Sequence, residues 1–195
     1  MGNVDNNRIN TFITDLLSVE KHTLKAVKKQ KDTDKVKADS EAFEMLQQME
    51  KTLTAQVNHL QEAAKKYGDE SSESLKSKLT GFLGTIAGLV DSARKDPISK
   101  MMRDNYTAVA MITAGNTMLK STALAVDDEE LQHTAGNHLK ELAQLTTEIS
   151  RVLPLVVVRE LVDDPKEADR IGKMAVEKTQ KAWNAENVNK GKEIV

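Results

Sequence analysis

At 195 residues, with 39% apolar and 30% charged side chains and only three prolines, the chain has the size and composition of one helical domain with appendages. It contains no cysteine, which excludes disulfides, thiolate catalysis, zinc ribbons and iron–sulfur clusters. A net charge of −2 argues against a nucleic-acid binder, and the short basic runs Lys28-Lys29 and Lys65-Lys66 read as solvated helix faces.

Aromatic residues make up only 3% of the chain, so the core must be built from Leu, Val, Ile, Ala and Met. The spacing predicts a first helix over 6–29, with Ile9, Phe12, Ile13, Leu16, Glu20, Leu24 and Val27 on one side. Asp32-Thr33-Asp34 supplies a connector, and a long second helix is predicted as far as Tyr67. It turns Phe43, Leu46, Leu53, Val57, Leu60 and Ala64 inward, and Gly68 caps it. A third segment, 73–95, is apolar and carries Gly81, Gly84 and Gly88, a spacing that suits close approach of another helix.

Asp96-Pro97 reads as an N-cap followed by a first-turn proline, opening a helix over 97–126. Its inward positions are Met101, Asn105, Val109, Ile112, Asn116, Leu119 and Ala123. Asp127 with Glu130 resembles a capping box for the next helix, whose stripe is Leu131, Ala135, His138, Leu142, Leu145 and Ile149. Pro154 is expected to interrupt that helix and leave a short one over 155–162. Asp164-Pro165 then starts a final helix that ends near Trp183, which docks it. No strand pattern occurs. Long helices with short connections define an all-α antiparallel bundle, 6–162, with a packed C-terminal helix, 163–184, and a flexible tail, 185–195.

Most catalytic signatures are missing. None of His22, His59, His133 and His138 lies in a His-Glu-x-x-His pattern, and there is no phosphate loop or nucleophile elbow. His22 and His133 are expected at the surface. The polar start of the chain carries no signal segment, and the apolar run 152–158 is too short to span a bilayer. A cytoplasmic protein is expected, with membrane-surface binding disfavoured. What remains is Glu20, a carboxylate inside a dry stripe, costly unless a metal, a cation or a hydrogen-bond donor pairs it.

Several stretches resemble the ferritin-like superfamily, in particular its small bacterial stress-associated bundles. These are Asp15-Leu16-Leu17-Ser18-Val19-Glu20-Lys21, Gln56-Val57-Asn58-His59-Leu60, Asn105-Tyr106-Thr107 with Ala114-Gly115-Asn116-Thr117-Met118-Leu119, His138-Leu139-Lys140-Glu141-Leu142-Ala143-Gln144, and Leu153-Pro154-Leu155-Val156-Val157-Val158-Arg159-Glu160-Leu161. The resemblance implies a four-helix bundle over about 6–161 and a di-iron site made of glutamates and Glu-x-x-His pairs. Glu20, His59 and Glu141 fit that pattern. Gln56 stands where a glutamate is expected, Ile112 or Thr113 where another is, and Gln144 where the second histidine belongs.

With those carboxylates gone, a ferroxidase centre is not expected, because a pair of doubly charged ions needs them for neutralisation. Glu20, His59, His138 and Glu141 are the candidate ligands of a single iron or manganese ion. The favoured expectation is a metal-free polar layer with no cofactor, in which Glu20 pairs with His59 or a lysine, or bonds Gln56 and Asn116. The functional expectation is a non-catalytic, stress-related binding or assembly protein, a homo-oligomer with a dimer as the default. The alternative is a metal-dependent oxidoreductase handling oxygen or peroxide.

Overall fold

The computed structural model describes residues 6–67 and 96–183. The predicted third segment, 73–95, and the tail, 185–195, lie outside the described residues. All the regular structure described is helical: α1 (Asn6–Lys31), α2 (Asp34–Lys37), α3 (Ser40–Tyr67), α4 (Ile98–Ala125), α5 (Glu129–Leu161) and α6 (Pro165–Trp183). Four long helices close a ring, α1 against α3 and α4, and α5 against α3 and α4, while α6 lies on α5. Their apolar stripes meet at the centre, where Ile13, Leu17, Leu46, Leu53, Leu60, Ile112, Leu119, Leu142 and Ile149 are fully buried. Each such side chain contributes roughly 1.5–3 kcal/mol relative to exposure.

Polar contacts at the two ends fix the helix directions. At one end Arg159, late in α5, forks onto Asp39 at 2.9 and 3.0 Å and also bonds Glu41, both beside the start of α3. Lys35 of α2 donates to the Asp96 carbonyl at 2.6 Å, and the Ser99 amide bonds Glu160 at 3.0 Å. At the other end Lys66 and Tyr67, closing α3, both reach Asp128, which opens α5. Helices α3 and α4 therefore run parallel to each other and antiparallel to α1 and α5, and the chain between Tyr67 and Asp96 joins opposite ends of the bundle.

Four local expectations are corrected. The predicted second helix is broken after α2, because Asp39 turns its carboxylate onto the Ala42 amide at 3.0 Å and caps a new helix. Pro154 does not interrupt α5, which runs through it to Leu161. Proline removes one backbone hydrogen bond, and the burial of Val152, Leu155 and Val156 around it holds the helix together.

The capping box assigned to Asp127 is also displaced. Asp128 is the N-cap, accepting from the Leu131 amide at 3.0 Å, while the Glu130 carboxylate pairs with Lys66. Asp127 instead ends α4 in the left-handed region, at φ 56°. Its amide bonds the Leu124 carbonyl at 3.3 Å and the Asp128 amide bonds Ala123 at 3.0 Å, the paired bonds of a Schellman closure. Glycine is the residue suited to that conformation. Asp127→Gly is expected to stabilise the fold by about 0.5–1 kcal/mol, seen as a raised midpoint in urea unfolding, and a lowered midpoint would refute it.

Pro97 likewise sits one position earlier than expected, at the N-cap of α4, with Asp96 ion-paired to Lys100 at 2.8 Å. Trp183 closes α6 as anticipated, edge-on to Tyr106 of α4 with ring centroids 6.4 Å apart. Gly172 lets α6 approach α5: a β-carbon there would meet Leu155 Cδ2 at 3.1 Å. No described helix is long and apolar enough to cross a membrane.

Candidate functional site: a polar layer through four helices

Each of the four long helices contributes polar side chains to one connected layer in the bundle interior. Glu20 of α1, Gln56 of α3 and Asn116 of α4 are fully buried, and His138 of α5 is 1% exposed. Glu141 is half-buried and His59 exposed, so the layer runs from the protein centre to the surface between α3 and α5. The helical period alone places them. Glu20 lies one turn from Leu16 and Leu17, Asn116 one turn from Ile112, and His138 one turn from Ala135 and Leu142, all core positions.

The hydrogen bonds fix one another's direction. Asn116 Nδ2 donates to Glu20 Oε1 at 3.3 Å and to the Ile112 carbonyl at 3.1 Å, so its Oδ1 is an acceptor. His138 Nδ1 lies 3.1 Å from that Oδ1 and must therefore carry the hydrogen. Burial, aided by the charge of His59, holds the His138 imidazole down to about 4, so the ring is neutral and its Nε2 is a bare acceptor. His59 Nδ1, at 3.1 Å, donates to it, and the two rings stack with centroids 5.4 Å apart. Gln56 Nε2 donates to Glu141 Oε2 at 2.8 Å and reaches toward the His138 carbonyl at 3.5 Å.

Two atoms of the layer have no hydrogen-bond partner, Glu20 Oε2 and Gln56 Oε1, on the neighbouring helices α1 and α3. Burial pushes the Glu20 carboxyl up to about 8, against the pull of the Asn116 hydrogen bond and with the help of the Glu141 charge. At neutral pH Glu20 is thus mainly a carboxylic acid, and Oε2 is the oxygen left to hold its proton.

Among the sequence candidates, Glu20 meets Asn116 but neither Gln56, whose amide goes to Glu141, nor His59, which pairs with His138 instead. The inward pair on α5 is His138 and Glu141, three residues apart. Gln144 faces an open groove with Gln48, Ala143, Thr147 and Glu148. Ile112, where the resemblance called for a carboxylate, is fully buried and gives the layer only its backbone carbonyl. His133 is exposed, and His22 is partly covered with its Nδ1 3.0 Å from the Ser18 carbonyl.

A second buried polar contact went unseen in the sequence. Asn105 Nδ2 donates to Gln30 Oε1 at 2.7 Å, nearer the other end of α1. Gln30 continues the inward spacing from Val27 by one turn, and that continuation was the available signal.

The donor set does not fit a di-iron centre. Such a centre needs carboxylates and imidazoles turned inward with free lone pairs. Here the inward groups on α3 and α4 are amides whose N–H groups already occupy Glu141 and Glu20. Among the described residues no three His, Cys, Asp or Glu side chains are grouped so that they could hold an ion. Comparison with family models, curated proteins and solved structures finds no match for this chain.

Proposed function

We propose that this chain is a ferritin-like helical bundle that has exchanged a metal centre for a hydrogen-bonded polar layer, and that it acts by binding or assembly and not by catalysis. One observation carries the reading: the amides of Asn116 and Gln56 donate to the carboxylates of Glu20 and Glu141, the oxygens a metal would require. The helix order supports it as well, since a bundle with one connection joining opposite ends is the ferritin-like arrangement. A cytoplasmic, stress-related role and association as a homodimer belong to the same reading. Met118 and Leu124, exposed on α4, are large apolar side chains available for self-association.

The test is elemental analysis of untagged protein, followed by titration with ferrous iron. The expected outcome is substoichiometric metal and a thermal midpoint that added iron does not move. Stoichiometric iron that is lost in Glu20→Ala would overturn the reading and restore a metal-dependent oxidoreductase.

A further inference from the structure

Helix α4 differs from the other long helices in what it shows to solvent. From Asn105 to Val126 it carries one charged residue, Lys120, in a chain that is 30% charged. Its exposed positions over that length are Thr, Ala, Met, Ser and Leu, whereas α1, α3 and α5 expose charges such as Lys25, Lys51 and Lys140. Lys120 itself leans off the face. A β-carbon added to Gly136 of α5 would lie 2.9 Å from its Nζ, so the ammonium sits over α5.

The hydroxyls of this face already have acceptors. Thr107, Thr117, Ser121 and Thr122 donate to the carbonyls of Arg103, Thr113, Thr117 and Met118 of their own helix, at 2.9–3.1 Å. Covering them therefore strands no donor. Beside them Met118 and Leu124 are 51% and 57% exposed. Burial of such a face desolvates no charge and removes apolar area from water.

We propose that this face of α4 is an interface between two copies of the chain, packed antiparallel about a two-fold axis at the level of Ala114, which deepens and rests on the assembly reading of the bundle. In a two-fold interface one patch meets itself, so it has to be its own complement. An uncharged face meets that condition, and a face of one sign repels its copy. Charge returns at the ends of α4, with Arg103 before the face and Asp127 and Glu129 after it, all exposed. Arg103 holds Asp104 through Nε and Nη2, which leaves its Nη1 donors for a second carboxylate. Antiparallel order sets each Arg103 end against the acidic end of the other copy and opposes the two helix dipoles. Parallel order sets like against like. Ala110, Ala114 and Thr117 are small enough for helix axes about 8 Å apart.

The experiment is sedimentation velocity of the full chain up to about 100 µM, roughly a hundredfold above the micromolar Kd expected of a modest interface. Native protein should sediment as a dimer. Ala114→Glu and Ala114→Lys each place a charge beside its own copy at the axis. Both should be helical by circular dichroism and monomeric at that concentration. An equimolar mixture of the two should recover a dimer, because glutamate then meets lysine. Lys51→Glu on α3 should leave the native dimer intact. Ala114→Cys, in a chain with no other thiol, should cross-link to a disulfide dimer under diamide, and Lys51→Cys should not.

A native chain that stays monomeric overturns the proposal, whether another part of the chain, a different protein or a lipid surface covers the face. A native dimer that neither charged variant weakens also overturns it, by putting the interface elsewhere. A mixture that stays monomeric while both variants are folded refutes the two-fold arrangement. Should the charged variants fail to fold, the thiol variant decides: a covalent dimer supports the proposal and its absence refutes it. Stoichiometric iron on a dimeric native chain overturns the metal-free reading alone, so the two failures are distinct.

Discussion

Asn116→Ala is expected to destabilise the bundle by roughly 3–5 kcal/mol, the cost of removing one partner from a buried polar network. Among the described residues Asn116 is the one side chain that bonds both Glu20 and His138. Truncating it leaves Glu20 Oε1 and His138 Nδ1–H facing an apolar gap, in addition to the unpartnered Glu20 Oε2. For a chain of this length the loss corresponds to a thermal midpoint lower by roughly 6–20 °C. Thr117→Ala supplies the comparison one residue along. Thr117 is exposed and bonds only the Thr113 carbonyl of its own helix, so its loss should stay within about 0.5 kcal/mol. Near-equal stability of the two variants in urea unfolding would refute the central place given to Asn116.

The helical period made most of this layer legible. It put Asn105, Ile112, Asn116, Leu119, His138 and Leu142 on inward faces, and each is buried. Glu20 stood out as a charge in a dry stripe, and the structure buries it completely.

Partner choice was not legible to the same degree. Which of Glu20, Asn116 and His59 takes His138 depends on the rotation and stagger of four helices, and helical spacing within one strand of sequence does not encode that. The same limit applied to Glu141. Read forward along the chain, it pairs with Gln144, whereas its inward neighbour is His138, three residues back. The Pro154 expectation failed for a related reason. A local penalty for proline was outweighed by apolar burial on both sides, a tertiary term that propensity does not contain. The Schellman closure at Asp127 and the N-cap at Asp128 differ by one residue from the sequence reading, because either aspartate satisfies a capping pattern and only the backbone dihedral separates them.

The buried acid–histidine pair also sets how stability should follow pH, and Glu20→Gln isolates its larger part. The Glu20 carboxyl rises from 4.5 to about 8 on folding. Between those values the folded chain holds a proton that the unfolded chain has lost, so stability falls as pH rises, by about 1.4 kcal/mol per unit. His138 acts in the opposite sense, because its imidazole falls from 6.5 to about 4. Over that range the unfolded chain holds the extra proton, and stability rises with pH. The two slopes cancel between pH 4.5 and 6.5, and above 6.5 the Glu20 slope is left alone.

The native protein is therefore expected to lose roughly 1–1.5 kcal/mol between pH 6.5 and 8 from this layer. Glu20→Gln has no proton to lose. Its amide keeps an oxygen for Asn116 and places an N–H where the acid has its O–H, so the variant should hold its stability across that interval. The measurement is urea unfolding of both proteins at pH 6.5 and at pH 8. Parallel losses in the two would show that Glu20 is ionised in the folded bundle at neutral pH. The orphaned Oε2 would then be part of a buried anion whose counter-charge must be sought in the layer, with His138 the nearest imidazole in the chain of hydrogen bonds through Asn116.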